Sequence, residues 1–287
     1  MLSFSVTVKA HGYTMNMRFT RIYLLLACSA LIPACAIPGD SPWSDLHANA
    51  YAVGFSPTFE ASANKIMIDG DSGTPELRGS VSIDPEKENA SLFGARIGFA
   101  PFELSVSQFS YSRNQVGVFQ SEGSGYFGGD LFSGSITTNS TLDIDATKIM
   151  AGIDVVNTSI ARVGLLAGFD VLSFNQFSFT AGPLNQNVLD NQEVPVPIIG
   201  LRGDIAIPGT NISLGAEITG MSMDVDGIEA SFFDHDINLS MEIVKNAEVV
   251  VGYRTMNIEI DGRIDDAQIQ NMDLSMSGPY FGVSVYF

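Results

Sequence analysis

Apolar residues alternate with polar or small residues in segment after segment, from about residue 56 to the C-terminus. One such face consists of Ala161, Val163, Leu165, Ala167, Phe169 and Val171. A period of two places successive side chains on opposite faces of a strand, whereas a helix repeats every 3.6 residues. The chain is therefore predicted to be all-β, with one apolar and one polar face on each strand.

Full charges lie on the polar faces, together with many Gly and Ser. Alternation fits a soluble barrel with an apolar interior, or a membrane barrel with an apolar exterior. With only 14 Lys and Arg in all, we favour the second, in which paired charges fill a narrow lumen as a plug. An ion-selective pore is the alternative. The predicted lumen charge network comprises Arg96, Glu103, Arg162, Asp170, Arg202, Asp204, Glu217, Glu242 and Arg254.

Short and long connections alternate along the chain. Tight turns are predicted at 99–102, 156–159, 208–211 and 244–247. The long polar connections are roughly 70–90, 113–141, 175–195, 224–230 and 261–271. This is the pattern of one antiparallel up-and-down transmembrane barrel, with short periplasmic turns and long extracellular loops.

Ten strands are predicted, with eight or twelve as alternatives. Several strands change phase midway, near Thr147, Gly220 and Arg254, and we attribute these changes to β-bulges. The strands are expected at about 56–69, 91–100, 102–112, 141–155, 159–174, 196–207, 211–224, 230–243, 246–261 and 272–287.

The N-terminal segment has the features of an export signal. Arg18 and Arg21 precede an apolar run, 22–32, which Ala34-Cys35-Ala36 follows. Cleavage by ordinary signal peptidase is the favoured outcome, and lipidation of Cys35 is the alternative. We predict a leader over 1–36, with Met15 or Met17 as the alternative start. A periplasmic segment is predicted over 37–50, and the barrel over 51–287.

The C-terminal strand carries a family resemblance. Phe281, Val283, Val285 and Phe287 alternate, and the last residue is aromatic. With the leader, this strand resembles the targeting strand of bacterial outer-membrane barrels. From about Tyr51 onward the chain resembles the OmpA-type transmembrane barrel class. The resemblance implies outer-membrane lipids and lipopolysaccharide as surroundings, and recognition of the last strand by the barrel-assembly machinery.

Composition excludes several other functions. The net charge of −18 argues against a nucleic-acid partner. Cys28 and Cys35 are the only cysteines, so neither a disulfide framework nor a Cys-based metal site is expected. Asp69-Gly70-Asp71 and the acidic turn 224–227 lack the register of an EF-hand loop. We predict no cofactor and no metal site.

His235 is the one candidate for catalysis. We expect it to be the only barrel histidine, because His11 and His47 are predicted to precede the barrel. Omptin-type barrel proteases also have ten strands, and they place acidic pairs and a His–Asp pair at the extracellular rim. Adjacent strand residues face opposite sides, however, so His235 cannot share a face with both Asp234 and Asp236. Carboxylates considered as its rim partners are Asp143, Asp145, Asp224 and Asp226.

The favoured function is therefore that of a barrel without catalytic activity. Its expected role is structural, adhesive or in surface interaction, with a plugged lumen. A small diffusion channel is the first alternative. An omptin-like or lipid-acting enzyme at the extracellular rim is the second.

Overall fold

In the computed structural model the chain forms two compact units. The residues that it describes are 3–10, 13–20, 46–68, 77–87, 89–127, 130–181, 184–225, 228–264 and 267–287. No helix within these residues is long and apolar enough to cross a membrane.

The N-terminal unit contains a two-stranded antiparallel hairpin. β1 spans Ser3–Ala10 and β2 spans Tyr13–Thr20. The predicted apolar core of the leader, the cleavage site and Cys35 lie outside the described residues. So does 37–45 of the predicted periplasmic segment 37–50, whose last five residues are on the strand Leu46–Phe55. Export and lipidation therefore stay predictions.

Twelve antiparallel strands form the second unit, a single sheet closed into a barrel. They are β3 (Leu46–Phe55), β4 (Thr58–Ile68), β5 (Leu77–Lys87), β6 (Ala90–Phe99), β7 (Phe102–Phe127), β8 (Asp130–Asn157), β9 (Ala161–Ala181), β10 (Leu184–Ala206), β11 (Ile212–Val225), β12 (Ile228–Val244), β13 (Ala247–Ile264) and β14 (Ala267–Tyr286).

Two pairs of strands each form one strand of the wall. β3 and β4 are separated only at Ser56-Pro57, and both pair with β14. β5 and β6 are separated at 88–89, and both pair with β7. Since β14 also pairs with β13, the wall closes with ten strands, which confirms the predicted count and fold class. The first wall strand begins at Leu46, ten residues before its predicted start.

Most of the predicted long loops continue the wall as strands. β7 has 26 residues and β8 has 28, and they pair from Phe102↔Ile153 to Phe127↔Asp130. The described residues of the predicted loop 113–141 thus belong to two long paired strands. We call everything above the membrane, on the side of these hairpins, the extracellular section.

The four predicted turns are tight, as expected. The turn between β12 and β13 uses Asn246, whose φ is +68°, and its side-chain amide donates to the Tyr286 carbonyl at 2.8 Å. The turn between β10 and β11 contains Gly209 with a φ of +76°. Both positions need the left-handed backbone that Gly and Asn tolerate best.

An apolar belt surrounds the half of the barrel nearest these turns. Along β10 and into the turn that follows, it runs from Ile199, which is 64% exposed, to Ile207. That span of nine positions matches the ~9–11 residues that a tilted strand needs to cross a bilayer. Its members are exposed large apolar residues that include Phe93, Leu104, Ile149, Leu165, Phe169, Leu201, Ile218, Ile237, Val251, Phe281, Val283 and Val285.

Above the belt the two faces of the wall exchange polarity. On β8, Leu142 and Ile144 point inward and are buried, while Asp143 and Asp145 point outward. The strand pairing is continuous across Thr147, Gly220 and Arg254. The predicted bulges at these positions are therefore wrong. The apolar pattern changes phase because lipid gives way to water outside the wall.

Candidate functional site in the barrel lumen

A cluster of charged side chains fills the periplasmic half of the lumen, and Glu103 on β7 is at its centre. Its Oε2 accepts a hydrogen bond from Arg162 Nη1 at 2.9 Å and lies 3.1 Å from His47 Nε2. Its Oε1 pairs with Arg202 and with Arg96 Nε, the latter at 3.2 Å. We call this the periplasmic cluster: His47, Arg96, Glu103, Asp154, Arg162, Arg202 and Asp204.

Two arginines on neighbouring strands complete the pairing. Arg162 on β9 donates from Nε and Nη2 to Asp204 Oδ2, at 3.1 and 2.9 Å. Arg202 on β10 donates from Nη2 to Asp154 Oδ1 at 2.9 Å. Both arginines are 2% exposed. Buried charges in this geometry are tolerated because each one has several opposite partners.

A second group, the central cluster, lies above the first. Lys148 on β8 donates to Asp234 Oδ2 at 2.5 Å, to Thr219 Oγ1 at 2.9 Å and to Glu217 Oε1 at 3.2 Å. Arg254 on β13 forms a bidentate pair with Asp234, with distances of 2.9 and 2.8 Å. Glu217 also lies 3.8 Å from Arg96, so it joins the two clusters.

Asp170 belongs to the central cluster by position but not by hydrogen bonding. It is directly across the strand pair from Lys148 and is fully buried. Within the described part of the chain, neither of its carboxylate oxygens has a hydrogen-bond partner. Lys148 and Arg254 thus act on it by their charge alone, since both are committed to Asp234.

An apolar core fills the lumen above the charges. Aromatic rings pack there in series, with centroids 5.7 Å apart for Phe55–Phe109, 5.7 Å for Phe59–Tyr111 and 6.5 Å for Phe109–Tyr111. We call this the extracellular core. Its members include Phe55, Phe59, Phe109, Tyr111, Leu142, Ile144, Leu172, Ile198, Phe232, Met256, Ile258, Leu274 and Met276.

Most of the predicted network residues meet in the two clusters. Arg162 and Arg202 both reach Asp204. Glu217 pairs with Lys148 and Arg96 instead of these two arginines. Glu242 takes part in no salt bridge among the described residues and interacts with the Tyr286 hydroxyl.

Four network members escaped the sequence analysis. His47 was placed before the barrel, yet it is on β3, because the wall begins ten residues earlier than predicted. Lys148 was missed because it directly follows the apparent phase change at Thr147. Asp154 and Asp234 were also not predicted, although the alternation of their strands places both of them on the lumen face. In the structure Gly98, directly opposite His47, leaves room for the imidazole, because a Cβ there would lie 2.2 Å from Cε1.

His235 and its two neighbouring carboxylates lie on opposite faces of β12. It points outward at the upper edge of the belt, where its ring is 5.6 Å from that of Phe233. Asp234 and Asp236 point into the lumen, and Asp236 accepts hydrogen bonds from Tyr280 at 2.8 Å and Asn238 at 2.9 Å. Parity on the strand thus separates the histidine from both carboxylates.

The proposed rim carboxylates have other partners. Asp143 and Asp145 both accept hydrogen bonds from the Asn175 side chain, at 3.0 and 2.9 Å, on the outer surface. Asp224 is exposed at the upper end of β11, and Asp226 lies outside the described residues. No three His, Cys, Asp or Glu side chains in the described ranges are arranged to hold a metal ion.

These features define the class. A closed ten-stranded antiparallel barrel with an apolar outer belt and a charged lumen is the fold of bacterial outer-membrane β-barrel proteins, as the sequence predicted. Comparison with solved structures agrees. The chain is similar to the outer membrane protease OmpT of Escherichia coli, with a TM-score of 0.52 and 12% identity, over 84% of this chain and 97% of that one.

Two other solved outer-membrane proteins give lower TM-scores. The outer membrane protein OprG of Pseudomonas aeruginosa gives a TM-score of 0.34 at 10% identity, over 84% of this chain and 95% of that one. Neisserial surface protein A gives a TM-score of 0.28 at 11% identity, over 85% of this chain and 98% of that one. No protein-family model and no curated protein sequence matches the chain. At 12% identity, the similarity to OmpT shows the fold alone.

Proposed function

We propose that this protein is a non-conducting outer-membrane barrel whose role is to hold its extracellular section at the cell surface, for a structural, adhesive or other surface interaction. The observation that carries the proposal is the filling of the lumen. Two linked charge clusters occupy its lower half, and the extracellular core occupies the part above. An ion on its way through would have to displace paired charges and then cross an apolar region, and both steps are costly.

The surface that this role would present is polar and strongly acidic. The segments between belt strands on the extracellular side are 56–90, 108–147, 171–198, 220–232 and 255–279, and they hold 21 Asp and Glu against 5 Lys and Arg. The rest of the chain from Leu46 holds 9 against 6. Outward carboxylates even oppose each other across strands, as in Asp224↔Glu229 and Glu259↔Asp273. Such a surface favours basic partners.

Planar-bilayer recording tests the closed lumen. The purified barrel should insert without producing steady single-channel steps, while a general porin in the same lipid produces them. The matched variant is Leu142→Asp, which places a charge in the extracellular core and should admit water there. Stable unitary conductance from the unmodified protein would contradict the proposal and favour the diffusion channel.

Whole-cell binding tests the surface role. Cells that display the barrel should retain immobilised poly-lysine more strongly than cells without it, and the difference should disappear at high salt. Excising Gly117–Thr138, whose ends are paired across β7 and β8, shortens one hairpin. This variant controls for the contribution of hairpin length to binding. Equal binding by both kinds of cell at low salt would count against an acidic contact surface.

A further inference from the structure

The wall of the extracellular section is split at one place, which we call the seam. β10 and β11 pair only from Ile199↔Gly220 down to Ala206↔Ser213. Above that level, β10 pairs with β9 alone and β11 with β12 alone, as far as the described residues extend. The seam begins at the top of the belt, where Ile199 and Ile218 are exposed to lipid.

Two prolines explain where the pairing stops. The amide of Ala206 donates on the β9 side, to Ile160, and the amide of Ile207 donates to Ile212 on the β11 side. Amides alternate along a strand, and the register of β10 is unbroken from Leu189 to Ile205. Odd-numbered amides of this stretch therefore face β11. Pro195 and Pro197 occupy two of these positions and have no N–H to donate.

The interior behind the seam is apolar. Ile198 and Val196 face inward next to the prolines, and Leu172 and Phe232 are buried beside them on the flanking strands. Deeper in the extracellular core, away from the seam and between β4, β7, β8, β13 and β14, lies a small cavity of about 20 Å³. Its lining is almost entirely apolar and includes Phe59, Phe109, Leu142, Ala146, Met256 and Met276.

Methionines make this interior adaptable. The cavity as it stands holds about one water molecule, so an apolar guest needs side chains to move. Met256, Met272 and Met276 are all buried in the extracellular core. Unbranched thioether side chains change rotamer at little cost and fill irregular space, and they occur often in binding surfaces that accept varied partners.

We propose that the extracellular core binds one alkyl chain of an outer-leaflet lipid, which enters sideways through the seam. The seam joins the lipid-facing belt to an apolar interior without crossing the charge clusters. The prolines keep it from closing as a regular strand pair, and the methionines supply room. This inference goes beyond the display role and stands independently of it, since a closed, non-conducting lumen does not require a guest.

Photo-crosslinking tests the site. The full-length protein in nanodiscs would be exposed to a phospholipid with a diazirine near the end of one acyl chain, and labelled peptides mapped by mass spectrometry. Labels are expected on inward residues of 142–146, 256–258 and 274–276. Labels confined to outward belt residues would overturn the proposal. So would labelling of the core by a free diazirine fatty acid but not by the phospholipid, because the chain would not come from the bilayer.

Two variants separate the cavity from the seam. Ala146→Phe fills the cavity and should lower core labelling at least tenfold. Ala167→Phe on the lipid-facing side of β9 is its matched control and should leave core labelling unchanged. Pro195→Val with Pro197→Val restores both amides. β10 and β11 should then form hydrogen bonds across the seam, and the rate of core labelling should fall. Heat-modifiable migration verifies that each variant is folded. Core labelling that none of these changes alters would refute the site.

Discussion

The lower and upper halves of a single strand, β9, place their apolar side chains on opposite faces. In the lower half, Leu165 and Phe169 face outward while Arg162 and Asp170 face inward. In the upper half, Leu172 is buried inside and Ser173 lies outside. The alternation of side chains is unbroken between them. The solvent beyond the wall, and not the fold, decides which face is apolar.

The same contrast explains how each half is held together. In the belt, apolar side chains on the outer face contact lipid, so the inner face can carry charges if they are paired. In the extracellular section, water satisfies the outer face, and the hydrophobic effect drives the inner face into a core as in a soluble protein. The barrel is thus a membrane protein below and a soluble β-barrel above, built from one set of strands.

Removing the C-terminal residues should have the largest effect, because it opens the belt half at the closure point. Deleting Val285-Tyr286-Phe287 removes the pairing of Val285 with both neighbouring strands, at Ala50 on β3 and at Ala247 on β13. We expect loss of folded protein from the outer membrane and degradation in the periplasm. Heat-modifiable migration of membrane fractions measures this. Normal yield and migration would contradict both the closure role and the predicted assembly signal.

Arg202→Ala tests the inner face of the lower half. The change leaves Glu103 and Asp154 with fewer opposite charges inside the lumen. Breaking a buried pair by removing one partner costs about 3–5 kcal/mol. Urea unfolding in lipid vesicles should show a loss of this order. The additional change Asp154→Asn should restore part of it, because Arg202 is the residue that donates to Asp154 at 2.9 Å. Conductance should stay absent, because the extracellular core is intact.

Unchanged stability together with unchanged conductance in Arg202→Ala would mean that the inward assignment of β10 is wrong. An increase in conductance without any loss of stability would instead favour a lumen that serves as a pore. The two measurements together therefore distinguish a plug from a pore lining.

The sequence revealed the barrel but not where its polarity changes. Ten strands, the four tight turns and the outward face of the last strand all followed from period-two alternation. The inversion at Thr147 was visible as a phase change, yet a bulge gives the same pattern in one strand. Only the pairing register, which requires neighbouring strands, separates the two explanations.

The candidate site could be predicted where the sequence shows on which face of a strand a side chain lies and how far along the strand it is. Arg162 and Asp204 could be brought together because both lie in strands with clear alternation. Lys148 could not, because its inward position is assigned correctly only once the inversion next to it is understood. Lys148 binds Asp234 rather than Asp170, which is directly opposite it on β9. This preference depends on side-chain geometry across the lumen.

A lysine scan of the outer face of β9 sharpens the comparison between the halves. Leu165→Lys places a charge in lipid and should cost about 2–4 kcal/mol if it is near the bilayer midplane. Ser173→Lys lies on the same face in the upper half, where water is outside, and should change stability by less than about 0.5 kcal/mol. Unfolding in vesicles by urea measures both. Equal costs would mean that the belt extends to Ser173.

The smallest effect is expected at His235, which tests the two faces within a single pair of neighbours. Its side chain points outward at the top of the belt and takes no part in the clusters, so His235→Ala should change stability by less than about 0.5 kcal/mol. Asp234→Asn, one residue earlier, removes the charge that both Lys148 and Arg254 contact and should destabilise the barrel clearly. A peptide or lipid hydrolase activity that disappears in His235→Ala and persists in Asp234→Asn would return the rim enzyme to consideration. Without that result, the contrast between these adjacent positions follows from strand parity alone.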